Sequence, residues 1–138
     1  MADENKVRFE LVSPEALVLS VDADMVVVPG AEGDFGVLPR HSRLISTVRP
    51  GVINVYQGSS VDQRIFVSGG FAEVTPERCT VLATEAIDIS AIDRGAVEAE
   101  IKDLTDDLSD AASDEEKGKI QSAIVIAQTK LAAVQSSN

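Results

Sequence analysis

One cysteine, Cys79, and one histidine, His41, are all that this 138-residue chain offers of those two metal-ligating side chains. A lone cysteine closes no intramolecular disulfide, and a zinc cluster needs three or four Cys or His ligands, so neither staple is available. The fold must stand on its core, and a reducing compartment is expected. No apolar run approaches the roughly 20 residues of a membrane span. The opening Met1-Ala2-Asp3-Glu4-Asn5-Lys6 lacks the apolar stretch of a secretory signal and is too acidic for a transit peptide. A protein that stays in the cytoplasm and meets a membrane only through a partner is therefore expected. Basic residues are scarce as well, 12 against 23 acidic, for a net charge of -11. A nucleic-acid backbone or an anionic lipid surface would repel such a protein at long range, which argues against nucleic-acid binding. The deficit is spread along the sequence, with seven basic and thirteen acidic residues up to position 88 and five and ten beyond it.

What is present suffices for a folded protein. Apolar residues make up 44% of the sequence, and a protein of this size buries roughly 70% of the surface its unfolded form exposes. Up to about residue 86 these residues recur with period 2. Val7, Phe9 and Leu11 alternate with Arg8 and Glu10, and Leu17, Leu19 and Val21 form a second such run. Further β-rich runs cover Met25 to Val28, Leu44 to Val48, Val52 to Tyr56, Arg64 to Val67, Phe71 to Val74 and Thr80 to Leu82. Between them stand Pro29-Gly30, Arg49-Pro50-Gly51, Gly58-Ser59, Ser68-Gly69-Gly70 and Thr75-Pro76-Glu77, all turn signals. Short strands at this spacing predict an antiparallel β-sandwich of about 8–10 strands over residues 1–86.

Beyond residue 86 the prolines vanish and the period changes. Val97, Ile101, Leu104 and Leu108 mark one helix; Ile120, Ile124, Ala127, Leu131 and Val134 mark another. Ser113 with Glu116 forms a capping box for the second helix, and Ser90 with Asp93 a weaker one for the first. The link at Asp110-Ala111-Ala112 allows only an antiparallel pair, so residues 87–138 are expected to form a two-helix hairpin. Ala96, Ala99, Ala123, Ala127 and Ala132 are expected to permit close approach of the two helices.

The most unusual stretch is Pro29-Gly30-Ala31-Glu32-Gly33-Asp34-Phe35-Gly36-Val37-Leu38-Pro39-Arg40-His41. As a phosphate cradle it fails, having no Gly-Lys-Ser/Thr ending, no following helix, and two carboxylates that would repel an anion. It reads as a long glycine-bearing loop that presents charged groups for contact. His41 beside Ser42 suggests a nucleophile pair, yet the Gly-x-Ser-x-Gly elbow is missing and chance adjacency explains it. Asp103, Asp106, Asp107 and Asp110 lack the order of a calcium loop and fall on an outward helix face. No catalytic, cofactor or metal site is expected.

The residues Phe9-Glu10-Leu11-Val12-Ser13-Pro14-Glu15, Val28 to His41, Pro50-Gly51-Val52, Val67-Ser68-Gly69-Gly70-Phe71-Ala72-Glu73-Val74 and Val81-Leu82-Ala83 closely resemble the epsilon subunit of the bacterial F-type ATP synthase. The resemblance spans essentially the whole sequence. It implies a non-catalytic rotor subunit of the central stalk that couples proton-driven rotation of the c-ring to ATP synthesis. The implied partners are gamma and the c-ring, and transiently the alpha/beta head; the implied place is the cytoplasmic face of the bacterial plasma membrane, peripherally. By the same resemblance, Glu32, Asp34, Arg40, His41 and Ser42 match the loop that faces the c-ring, and one sandwich face lies on gamma. The alternative it implies is a nucleotide-sensing inhibitor of hydrolysis acting through the hairpin. Here the sequence departs from its relatives. In Ile89-Ser90-Ala91-Ile92-Asp93-Arg94-Gly95-Ala96 the Asp of the family's ATP motif, aligned on Arg94, is Ala91 and the following Ala is Gly95. Arg94 is also the only arginine after Arg78, and the second helix opens on Asp114-Glu115-Glu116. Weak or absent tail-mediated inhibition is the expectation.

Overall fold

The computed structural model describes residues 5–135 and contains ten strands followed by two helices. The protein divides into two compact units at Asp88/Ile89.

In the first unit the strands are β1 (Val7–Val12), β2 (Leu17–Ala23), β3 (Met25–Gly30), β4 (Gly33–Val37), β5 (Leu44–Val48), β6 (Gly51–Gln57), β7 (Ser60–Val67), β8 (Gly70–Val74), β9 (Arg78–Ala83) and β10 (Ala86–Asp88). One group runs β4-β3-β6-β7-β10 and the other β5-β8-β9-β1-β2. They connect where Gly30, at the end of β3, pairs with Val48 of β5. All ladders are antiparallel except β1–β9, which is parallel with Phe9 opposite Cys79. Alternation decides which side is buried. Val7, Phe9 and Leu11 of β1 are fully buried, as are Val26 and Val28 of β3, Ile53 and Val55 of β6 and Val81 of β9. Together with Val37, Val67, Val74 and others they make a single core, more than half of it valine. Valine's branched Cβ packs well on a pleated surface, so the residue that fills the core also favours the strands that build it. Cys79 belongs to this core, and burial pushes its thiol up to about 12, so it stays protonated and inert.

Two expectations change. The stretch after Val28 is a β-hairpin and not a long loop: Pro29 and Gly30 belong to β3, only Ala31 and Glu32 turn, and Gly33 to Val37 returns as β4. Gly30 is required there by space, because a Cβ would lie 2.9 Å from the Phe35 ring. β10, which the sequence pattern does not signal, pairs with Ile65–Val67 of β7.

The second unit opens with a 3₁₀ turn at Ile89–Ala91 and continues as α1 (Arg94–Asp110) and α2 (Asp114–Gln135), which pack on each other. The cap of α1 is Asp93, whose carboxylate accepts from the Ala96 N–H; Ser90 lies in the preceding turn and does not cap. At α2 the Ser113 hydroxyl accepts from the Glu116 N–H, and the Glu116 carboxylate reaches back to the N–H of Ala112, one residue before the expected position. Ile101, Leu104, Leu108, Ile120, Ile124 and Leu131 are half-buried. Ala123 and Ala127 are covered, whereas Ala96, Ala99 and Ala132 are exposed and have no part in close approach.

Gly70 opens β8 at φ 151°, and a Cβ there would overlap the Leu82 carbonyl of the neighbouring strand. Gly70→Ala is expected to lower unfolding stability by about 3 kcal/mol through strain and overlap. Gly118, in open space on α2, is the control: Gly118→Ala should stabilise by up to about 1 kcal/mol. Urea denaturation of both variants checks the pair.

Candidate interaction surfaces of the sandwich

The β3–β4 hairpin and the residues after it carry all five sequence-selected side chains, and the sheet separates them into two groups. Glu32 and Asp34 lie at the hairpin tip, beside the Gly30–Val48 bridge. β4 then leads away from the tip, so Arg40, His41 and Ser42 stand at the opposite end of the sandwich. The rise from Gly33 to Leu38 puts about 17 Å between the groups.

At the tip, Asp34 is not a free charge. The Arg49 guanidinium donates to Asp34 Oδ1 at 2.6 Å and to the Gly30 carbonyl at 2.5 Å, while the Arg49 N–H bonds the Pro29 carbonyl at 2.9 Å. A planar fork that bridges a carboxylate and a backbone carbonyl fixes the tip against β5. In the sequence Arg49 is only part of a turn, because its partners lie 15 and 19 residues away and nothing local signals them. Glu32 remains exposed at the turn. A depression of ≈ 480 Å³ lies beside the tip, lined by Glu32, Asp34, Phe35, Ile45 and Thr47 among others.

At the other end, Leu38-Pro39-Arg40-His41 forms a β-turn closed by the His41 N–H to the Leu38 carbonyl at 3.2 Å. Arg40 sits at φ 65°, the one non-glycine residue at positive φ among the described residues. The Arg40 N–H bonds the Pro76 carbonyl at 2.8 Å, tying this turn to the β8–β9 connection. His41 Nδ1 lies 2.6 Å from the Ser42 carbonyl oxygen. The ring therefore engages the Ser42 backbone, an arrangement that activates no hydroxyl. Nearby, Lys6 Nζ pairs with Asp24 at 2.9 Å and donates to Gln57 at 3.2 Å, and the Gly58 N–H also donates to Asp24. These bonds pin the start of β1 and the β2–β3 junction to the β6–β7 turn.

A third surface has no counterpart in the sequence pattern. Ile45, Phe71 and Leu82 are 74%, 58% and 54% exposed on three adjacent strands. Phe71 pairs across to Leu82 and Thr47, and Ile45 to Glu73, so all three point outward on one sheet face. Glu73 and Thr80 edge a ≈ 240 Å³ hollow between them. Contiguous apolar exposure with a polar rim is the mark of a protein-docking face. The cross-strand register makes it; in the sequence each of the three is one apolar residue among many. Among the described residues, no group of three or more His, Cys, Asp or Glu is placed to hold a metal, and no helix is long and apolar enough to cross a membrane.

Residues 6–89 match the family described as "ATP synthase, Delta/Epsilon chain, beta-sandwich domain", and residues 93–138 match the C-terminal domain of the ATP synthase epsilon chain. The ATP synthase epsilon chain of Rhodospirillum rubrum is 55% identical over 126 residues, covering 91% of this protein and 94% of that one. That of Rhodospirillum centenum is 54% identical over 136 residues, covering 95% and 92%. Among solved structures, a subunit of the Euglena gracilis mitochondrial ATP synthase superposes with a TM-score of 0.82 at 20% identity, covering 94% of this protein and 82% of that one. A subunit from the central stalk and c-ring of the Tetrahymena thermophila enzyme gives 0.66 at 14% identity, covering 97% and 99%. At such identities these two show a shared fold.

The Asp24 carboxyl is held below its ordinary value by the hydrogen bond from Lys6 first and by the Gly58 N–H second. Its contribution to stability is therefore complete above the ordinary carboxylate value of about 4 and disappears as pH falls through the lower folded value. Asp24→Asn should lose stability at neutral pH and show a shallower decline on acidification than wild type. Denaturation midpoints from pH 7 downward check this; parallel curves would contradict it.

Proposed function

The protein belongs to the ATP synthase epsilon-chain family, and on that premise we propose that it works as a non-catalytic rotor subunit of the central stalk. In that role it couples proton-driven rotation of a c-ring to ATP synthesis in the catalytic head. The observation that carries this reading is the match of both units to the family, with relatives at 55% identity covered over 94% of their length. Its partners are then gamma and the c-ring, and transiently the alpha/beta head. It sits on the cytoplasmic face of the bacterial plasma membrane, held there by those partners.

The surfaces divide the work. The Ile45–Phe71–Leu82 face suits gamma: it is apolar, it spans three strands and it already lies outside the core. The hairpin tip suits the ring. Glu32 and Asp34 offer polar contact, and the Arg49 bonds hold the tip in one position, which a part transmitting torque requires. Arg40, His41 and Ser42, at the far end, serve another neighbour. The nucleotide-sensing alternative gains nothing from the hairpin. Arg94, its single arginine, is bound by Glu98 at 3.0 Å, so a triphosphate meets no free guanidinium in α1.

Two measurements test this assignment. Phe71→Glu should leave folding intact, since the ring is already exposed, and weaken binding to gamma at least tenfold, as loss of an aromatic anchor does; unchanged affinity would remove this face from the gamma contact. Glu32→Cys should form a disulfide with a cysteine placed in the polar loop of the c-ring, while Ser42→Cys should not.

A further inference from the structure

Seven basic residues occur up to position 88, and five of them are engaged within the sandwich. Lys6 pairs with Asp24, Arg8 with Asp22, Arg49 with Asp34 and Arg78 with Glu10, and Arg64 donates to Asn54 at 3.3 Å. Of these seven, the two with neither an ion pair nor a side-chain hydrogen bond among the described residues are Arg40 and Arg43, four positions end to end. Both are exposed. In a protein of net charge -11, carboxylates able to neutralise them are abundant, yet none among the described residues does so. Glu77, beside the Pro76 carbonyl that receives the Arg40 N–H, has its carboxylate on the Thr75 hydroxyl at 3.5 Å.

The backbone at Arg40 adds a second, independent observation. Pro39 precedes it and the His41-to-Leu38 bond closes the turn, so a φ of 65° makes Arg40 the third residue of a type II turn. That position requires positive φ and favours glycine. An L-residue held there is strained by about 1 kcal/mol or more, and strained residues cluster where the side chain serves a function. Exposed Leu38, at 54%, and Leu44, at 37%, flank the pair. Apolar neighbours that exclude water strengthen any charge contact made between them.

We propose that Arg40 and Arg43, with Leu38 and Leu44 at their sides, form a second docking surface for a carboxylate-bearing segment of a neighbouring protein subunit, at the end of the sandwich away from the hairpin tip. The inference rests on the subunit reading given above and adds the chemistry of a partner that reading leaves open. A protein acid is favoured over an anionic membrane because the protein's overall charge opposes a large negative surface, while two guanidiniums between leucines match a localised pair of carboxylates.

The test titrates the labelled full-length protein onto ATP synthase stripped of this subunit, with wild type, Arg40→Gly, Arg43→Gln and the double variant. Arg40→Gly is chosen because glycine suits the turn: its unfolding midpoint should equal or exceed that of wild type, so a binding loss belongs to the guanidinium. At about 50 mM salt each substitution should weaken binding about fivefold, the upper end for an exposed ion pair. Raising salt to about 200 mM should weaken wild type and barely affect the double variant. Carbodiimide treatment of an Arg40→Lys variant should add one amide cross-link to a second subunit that wild type does not form. Variants that bind with wild-type affinity and salt dependence would overturn the proposal. Arginine-dependent binding to phosphatidylglycerol vesicles, with binding to the complex unchanged, would overturn it in favour of a lipid surface. Failure of wild type to bind the stripped complex at all is a different result, and would remove the subunit reading together with this one.

Discussion

Burial of one aliphatic face from each of two strand groups, with a single cysteine and hence no internal disulfide to assist, is the constraint on which the sandwich depends. Val26, Val28, Ile53, Val55 and Val67 meet Phe9, Leu11, Val74 and Val81 in a single core. A slip of one residue in any strand would turn its valines outward, so the register is strongly specified. Every outward feature then follows from that inward choice. Phe71 and Leu82 stand side by side because Ala72 and Val81 had to face in. Asp34 meets Arg49 because β3 must end where β5 ends. The docking surfaces are the complement of the core, and a core substitution that shifted one strand would move them without touching a contact residue.

How much of this can be read in the sequence varies with the range of the interaction. Strands such as β1, β6 and β9 are legible because period 2 is written locally in Val7, Phe9 and Leu11 or in Ile53 and Val55. The β3–β4 hairpin reads as a loop because its glycines and prolines outweigh the alternation of Phe35 and Val37, and only pairing with Val26 and Val28 reveals a strand. β10, three residues long, is too short to show any period. The cap at α1 is ambiguous because Ser90 and Asp93 both qualify by type, and only the geometry of Ala96 selects Asp93. Of the candidate site, the charged residues are visible in the sequence and their separation into two ends is not. The apolar face is invisible for the same reason, since it exists only across strands.

The two units are held by different kinds of bond. The hairpin rests on contacts between near neighbours in sequence, such as Ser113 with Glu116 and Arg94 with Glu98, and on the packing of consecutive helices. Interactions of this kind are individually weak and form independently of distant residues. The sandwich depends in addition on pairings between distant residues, such as Phe9 with Cys79 and Gly30 with Val48. A rigid coupling element and a locally stabilised appendage are thus built from one polypeptide by changing the range over which its residues find partners.

The parallel pair β1–β9 has a consequence for how the protein comes into being. β1 is the first strand made, and β2 supplies one side of it almost at once. Its other side waits for β9, where Phe9 meets Cys79 across on the order of seventy residues of intervening sequence. During synthesis the first strand therefore carries an open edge until nearly the whole sandwich has left the ribosome. Closing so long a loop slows folding, and an apolar strand with an unpaired edge is open to association with other nascent polypeptides. The parallel pairing thus leaves one edge of the N-terminal strand open until β9, the last strand but one of the sandwich, has been made.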